Sequence, residues 1–277
     1  MQLIEQSQNH MNTTFFLTVS IHDTLVSFAD QQLLDCHRVL TKLENILSEF
    51  KIDSDVSRLN RSEPKEKTKV SPHVISILET SLKVSQWSLN EFNPAFRSQN
   101  LLSFEQNFDW DLNTAVAWRN EPTSKLGFGA IGKGYALDVI HHELMAAGLN
   151  NHRLIAGGSS IIFSGQENKN QPWKISFGFK KVGTEILGFD LACLNVPIYL
   201  GISGELNQGQ HIVNQNKLHS SALLVGVTSR TAAAADAIST AIFANPELRE
   251  NSVDDGFILI DNEERLFTNK VFKNQFG

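Results

Sequence analysis

The stretch Leu126-Gly127-Phe128-Gly129-Ala130-Ile131-Gly132-Lys133-Gly134-Tyr135-Ala136-Leu137-Asp138 sets four glycines within eight positions and then turns helical. Glycine lets a backbone come close to a ligand or to another element, and a helix N-terminus presents amides to an anion. The spacing is neither that of a Walker P-loop nor that of the dinucleotide fingerprint. Two readings stay open on these residues alone: a ligand-approaching loop, or a tight turn with close helix packing. The helix is expected from about Lys133 to Met145, stopped by Gly148.

Outward from this stretch, strands and helices mix without strict alternation. Residues 151–162 read as two strands broken by Gly157-Gly158, and 173–178, 188–196 and 223–228 read as further strands. Residues 231–243 form an Ala-rich helix ended by Asn245-Pro246, and 257–261 with 266–271 look like a terminal hairpin. On the other side, Ser71-Pro72 opens a helix through about Trp87, with Ser as N-cap and Pro at the first helical position. Residues 51–69 are polar and read as a loop, 98–125 give no clean period, and Phe92-Asn93-Pro94 is a turn. A helix capped by Asp30 carries Leu33, His37, Leu40, Leu43, Leu47 and Phe50 on one face, and residues 13–20 make the first strand. The sum is an α+β fold with a mixed, largely antiparallel sheet and packed helices, in one unit spanning 1–277.

Composition narrows the function. The chain has 277 residues and a formal net charge of −6, with ordinary globular hydrophobicity. This argues against a nucleic-acid binder. No apolar run approaches the ~20 residues that span a bilayer, so no membrane insertion is expected. No Lys or Arg precedes Arg38, which is unlike the start of a secretory signal, and a cytoplasmic location is expected. Cys36 and Cys193 are read as free structural thiols.

Two further groups carry chemistry. Asp236 and Thr240 stand at i and i+4 among small residues, so a helix puts them on one face. A carboxylate plus a hydroxyl suits a hard cation such as Mg²⁺, although an Asp near a helix start and a Thr bonding its own backbone are common without any metal. His211 follows Ser203-Gly204 and a Gly-containing loop, as a general base or as a structural histidine.

In order along the chain, these motifs resemble the ApbE family, the FAD:protein FMN transferases. Met11-Asn12-Thr13-Thr14-Phe15 resembles its M-G-T-x-[FWY] opening, and Asp53-Ser54-Asp55-Val56-Ser57-Arg58-Leu59-Asn60 its D-S-x-[IV]-S-R-[LF]-N run. Phe92-Asn93-Pro94 is similar to F-D-P, the glycine stretch to D-[LF]-G-[AG]-I-[AG]-K-G-[YF]-A-x-D, Gly157-Gly158 to G-G-[DN], and residues 235–241 to A-D-A-[LIW]-x-T-[AG]. Ser203-Gly204 with His211-Ile212 resembles S-G … H-I-I-D-P-R-T-G.

The resemblance implies a ligand cleft between two lobes, FAD as substrate, Mg²⁺ at the pyrophosphate, and a target flavoprotein whose Thr hydroxyl receives FMN as AMP leaves. It implies Asp236, Thr240 and the Ala130 carbonyl as metal ligands. Lys133, Gly127, Met11, Phe50 and Val213 would lie against the flavin nucleotide, and His211 would be the base. Three departures bear on activity: Gly127 replaces an Asp, Ser159 an Asp or Asn, and Val213-Asn214-Gln215-Asn216-Lys217 the I-D-P-R-T run. A flavin-binding homologue without transfer, or an FAD pyrophosphate hydrolase, are the alternatives those departures leave.

Overall fold

A computed structural model describes residues 1–100, 102–180, 186–204, 222–252 and 254–276. The chain opens with β1 (Gln2–His10) and β2 (Thr13–Ile21), then the long helix α1 (Val26–Leu47) and the short α2 (Asp55–Arg61). β3 (Thr68–Lys69), α3 (Pro72–Trp87), α4 (Phe104–Asn107), β4 (Phe108–Asp111) and β5 (Val116–Arg119) follow. Next come α5 (Gly132–Ala146), β6 (His152–Ala156), β7 (Ser160–Ser164), β8 (Lys174–Lys180), β9 (Ile186–Ala192) and β10 (Ile198–Gly204). The chain closes with β11 (Ala222–Ser229), α6 (Ala232–Ala244), β12 (Gly256–Asp261), β13 (Leu266–Thr268) and α7 (Lys270–Gln275).

Eight strands form one sheet in the order β1-β2-β6-β7-β10-β11-β12-β13, and every neighbouring pair is antiparallel. β3, β5 and β4 make a small antiparallel sheet, and β8 with β9 a separate hairpin. The α+β expectation holds. The middle of the large sheet is buried on both sides. Phe257 and Leu259 of β12 join a core with α1, α3, α5 and α6, whereas Ile258 and Ile260 join a second core with Trp173, Cys193, Phe272 and Phe276. Alternate side chains of a strand face opposite sides, so a continuous apolar run such as Phe257-Ile258-Leu259-Ile260 marks a strand covered twice.

α6 lies inside the first core, with almost every residue buried. Its alanines let neighbours reach its backbone. A Cβ at Gly201 of β10 would stand 2.4 Å from the Ala235 carbonyl carbon and 2.5 Å from the Asp236 nitrogen. Gly201→Ala is therefore expected to cost about 2–3 kcal/mol, as overpacking does when only backbone can yield. A denaturant midpoint equal to that of the parent would show that β10 and α6 separate freely.

Several local readings are corrected. β1 lies before the expected first strand, hidden because it is a largely exposed edge with no apolar alternation. α1 begins at Val26, and Asp30 is inside it, accepting from the Gln6 side chain rather than capping. The helix ends at Leu47, so Phe50 is off its face. The polar segment 51–69 contains α2, capped by Ser54 on the Ser57 amide at 3.0 Å. Residues 98–125 hold α4, β4 and β5. β10 was not anticipated, and the last expected strand stops at Thr268, after which Asn269 caps α7. α3 and its Ser71 cap stand as read. Both cysteines are free and buried, and burial pushes each thiol up to about 12.

Candidate functional site

The floor of the site is the crossing of α5 and α6. A Cβ at Gly134 would stand 2.2 Å from the Ala232 carbonyl oxygen, so the first turn of α5 rests directly on the first turn of α6. The close-packing reading of the glycines is thus right at Gly134. One turn on, Asp138 accepts the Ala232 amide at 2.8 Å and the Ala233 amide at 2.9 Å, and Thr231 accepts that of Ala234. The start of α6 is fully engaged in holding the two helices together. Ile131, the residue before α5, offers no side-chain cap, and the Gly132 amide donates to the Phe128 carbonyl at 2.7 Å.

This crossing brings Asp236 under the glycine loop. Its Oδ2 accepts the Gly134 amide at 2.8 Å and the Ser160 hydroxyl at 2.6 Å. Oδ1 takes neither bond. Burial pushes the Asp236 carboxyl up to about 7, although the Lys133 charge and those two hydrogen bonds pull the other way. Burial likewise raises Asp138 to about 6 against its two amide bonds. The Thr240 hydroxyl donates to the Asp236 carbonyl at 2.9 Å, which leaves its oxygen lone pairs able to accept or to ligate. Behind them the Ser203 and Ser239 hydroxyls lie 2.9 Å apart.

The buried carboxylate of Asp236 and the hydroxyl of Thr240 are donors of the type a hard divalent cation takes. Among the described residues no group of three or more His, Cys, Asp or Glu stands together that could hold a metal ion.

The mouth is built by the D-S-x-V-S-R-L-N run. The Ser54 hydroxyl donates to the Ser48 carbonyl and that of Ser57 to the Glu49 carbonyl at 2.8 Å. Asn60 clamps Leu126 twice: its Nδ2 donates to the Leu126 carbonyl at 2.8 Å and its Oδ1 accepts the Leu126 amide at 2.7 Å. One short helix thus fixes both the chain leaving α1 and the glycine loop. Phe50 stands 71% exposed beside it, its ring face uncovered except by the Arg97 guanidinium 5.8 Å away. A Cβ at Gly129 would meet nothing within 4 Å, so the ligand-approach reading of the glycines fits here.

At the third side, Met11 and Asn12 take φ of 50° and 60° in the two-residue turn joining β1 to β2. A non-glycine pair there is strained, and Asn12 tolerates it best. The Met11 amide donates to Glu44 at 3.1 Å, and Glu44 pairs with Lys51 at 2.9 Å. A cavity of about 530 Å³ opens over this turn, lined by residues 9–14 and Glu44. A Cβ at Gly157 would meet the Thr13 hydroxyl at 2.5 Å, which ties the Gly157-Gly158 turn to the same corner.

The expected residues therefore fall in two groups joined by the loop 127–130. Lys133, Asp236 and Thr240 gather at the helix crossing and Ala130 lies in the loop that enters α5, while Met11 and Phe50 flank the end of α1. His211 and Val213, with Asn214 and Gln215, lie outside the described residues. Sequence reasoning gave no role to Asn60, Ser160, Asp138 or Glu49. Asn60 and Asp138 close the two most specific motifs, which was the available signal; Ser160 lies in an apolar strand and offered none.

The antiparallel sheet and packed helices define an α+β protein, with a buried carboxylate beneath an open glycine loop. A family model described as the ApbE family matches residues 11–252, and the chain belongs to that family. Similar solved structures include the flavin transferase ApbE from Vibrio cholerae, with TM-score 0.84, 15% identity and 99% of each chain covered. The ApbE protein from Thermotoga maritima matches at TM-score 0.79 and 17% identity over 99% of each chain. The Pseudomonas stutzeri flavinyl transferase ApbE, in its apo form, matches at 0.80 and 16%, over 100% of this chain and 97% of that one. No curated protein matches. At these identities the likeness shows a shared fold.

Proposed function

We propose that this protein transfers FMN from FAD to a Thr hydroxyl of a target flavoprotein in the presence of Mg²⁺, releasing AMP. The observation that carries the reading is Asp236: a buried carboxylate fixed by Gly134 and Ser160 at the start of α5, beneath an open glycine loop. Asp236, Thr240 and the Ala130 carbonyl would hold the cation, which would neutralise charge on the diphosphate. The acceptor oxygen attacks the FMN-side phosphorus, the bond to the bridging oxygen breaks, and AMP departs with that oxygen. His211 takes the hydroxyl proton. Lys133 would meet the phosphates, Phe50 and Met11 would line the flavin nucleotide, and the family pattern gives Val213 the same part. Phosphoryl transfer asks mainly for positioning and charge neutralisation, and these residues are of that kind.

A second reading is retained because Gly127 and Asn214 lack carboxylates that the family pattern carries: FAD is bound without transfer. The discriminating experiment incubates the protein with FAD, Mg²⁺ and a flavoprotein domain bearing an acceptor Thr, with and without chelator. Chelator-sensitive flavin fluorescence on the denatured acceptor, with AMP released in equal amount, is the expected result. FAD retained intact would leave the binding reading. AMP and FMN without labelling would indicate hydrolysis. No FAD binding would end all three. Among the described residues no helix is long and apolar enough to cross a membrane.

A further inference from the structure

Gly127 lacks a side chain, yet the space beside it is not empty. A Cβ there would stand 3.0 Å from Glu49 Oε1 and 3.2 Å from Glu49 Oε2. A carboxylate from another part of the chain fills the position where a side chain of residue 127 would begin. The placement is fixed from both directions. The Ser57 hydroxyl holds the Glu49 carbonyl, Asn60 holds Leu126, and the Gly127 amide donates to the Pro94 carbonyl at 3.0 Å. The same turn carries Arg97, whose Nη1 reaches Glu49 Oε2 at 2.7 Å.

Glu49 is not an ordinary surface partner of Arg97. Its side chain is 17% exposed, whereas that of Arg97 is 49% exposed. Only Oε2 is engaged by Arg97, so Oε1 keeps its acceptor capacity. The carboxylate stands two residues from the open space at Gly129, and the exposed ring of Phe50 is next to it in sequence. The Arg97 guanidinium lies 5.8 Å from that ring and 5.4 Å from the ring of Phe96. An aromatic face, a cation and a half-buried acceptor thus stand together at the mouth of the loop. This is the combination that recognises a heteroaromatic ring bearing N–H donors.

We infer that Glu49 is a ligand-binding residue of this cleft, supplying from the end of α1 the carboxylate that position 127 lacks and accepting N–H donors of the FAD ring systems. The inference rests on the flavin reading above. It implies that Gly127 is a compensated position: a carboxylate can stand at 49 or at 127, and a second one at 127, whose Cβ alone would already stand 3.0 Å from Glu49 Oε1, would crowd and repel the first.

The test is a four-corner cycle with FAD titrations followed by flavin fluorescence, and melting temperature recorded for each protein. Glu49→Ala is expected to weaken FAD binding about tenfold. Gly127→Asp alone is expected to weaken it at least as much, because the new carboxylate meets Glu49. The double variant Glu49→Ala/Gly127→Asp is expected to bind within about threefold of the parent. Glu49→Gln, which keeps the shape, tests charge alone and is expected to lose about fivefold. Unchanged FAD binding by Glu49→Ala would overturn the inference while leaving the flavin reading in place. So would a double variant no better than Gly127→Asp, since a purely structural Glu49–Arg97 pair is not restored by a carboxylate at 127. A parent protein that binds no FAD would overturn both, and only that outcome touches the flavin reading.

Discussion

Asp236→Asn is expected to abolish transfer while making the metal-free protein more stable at pH 8. The two effects have one origin. The Asp236 carboxyl is raised to about 7 from 3.8, mainly because it is buried. The unfolded chain ionises it near 3.8, so the cost of burying the charge builds as pH rises from 3.8 and is complete above about 7. At one pKa unit per 1.36 kcal/mol, that cost is of order 2–4 kcal/mol. Asparagine keeps an oxygen for the Gly134 amide and the Ser160 hydroxyl, at 2.8 and 2.6 Å in the parent, and sheds the charge. A rise in denaturant midpoint in chelator at pH 8, vanishing by pH 4, checks the first effect. Loss of one fixed electrostatic contact in phosphoryl transfer lowers the rate about 10²–10³-fold, and loss of a metal ligand at least that much. Millimolar Mg²⁺ is expected to raise the parent's melting temperature and leave the variant's unchanged. A variant that transfers at the parental rate would sink the assignment of Asp236. A variant less stable at pH 8 would show that the carboxylate serves the fold.

Such a residue is visible in sequence only in part. Asp236 and Thr240 were legible because helical spacing puts i and i+4 on one face, and α6 is a long, well-marked helix. The partner groups were not, because they come from elements far away in the chain: Gly134 lies 102 residues from Asp236 and Ser160 lies 76. The same holds for Glu49, whose meaning depends on a missing side chain at 127. α3 and α5 were readable from Ser71-Pro72 and from the Gly148 stop, since caps are local chemistry. β1 was not readable because an exposed edge strand needs no apolar alternation. β10 was not because Gly201 interrupts its pattern, and the reason for Gly201 is the backbone of α6. What is local was legible; what depends on which elements meet was not.

Four buried imidazoles make the protein acid-labile, and here too the sign decides the pH window. His10 Nε2 and His37 Nδ1 lie 3.1 Å apart, between β1 and α1. On the same face of the sheet, beside α5, His152 Nδ1–H donates to the Leu149 carbonyl at 2.7 Å. That leaves its Nε2 to accept from His141 Nδ1–H at 2.8 Å, and His141 Nε2 to accept from the Tyr199 hydroxyl at 3.2 Å. In this second chain each acceptor nitrogen is used, so a further proton breaks a bond as well as burying a charge. Burial lowers His37, His141 and His152 to about 4 and lowers His10 as well. A lowered imidazole contributes stability that is full above 6.5 and is lost as pH falls towards 4. Asp138 and Asp236, raised to about 6 and 7, act oppositely over much of that window. Between about pH 4.5 and 6 the unfolded chain takes up more histidine protons than the folded chain takes up on those carboxyls. The excess from these groups is just under about one proton, or about 1 kcal/mol per pH unit. Against a total stability of about 5–15 kcal/mol, that slope removes about 2–3 kcal/mol between pH 7 and pH 4. Urea midpoints at pH 7, 6 and 5 are expected to fall progressively. His37→Leu, which removes an imidazole whose Nε2 is buried without a partner, is expected to shallow the slope by up to one proton. Midpoints that stay level from pH 7 to 5, or a slope that His37→Leu leaves unchanged, would mean that the imidazoles take up protons in place, with water reaching them.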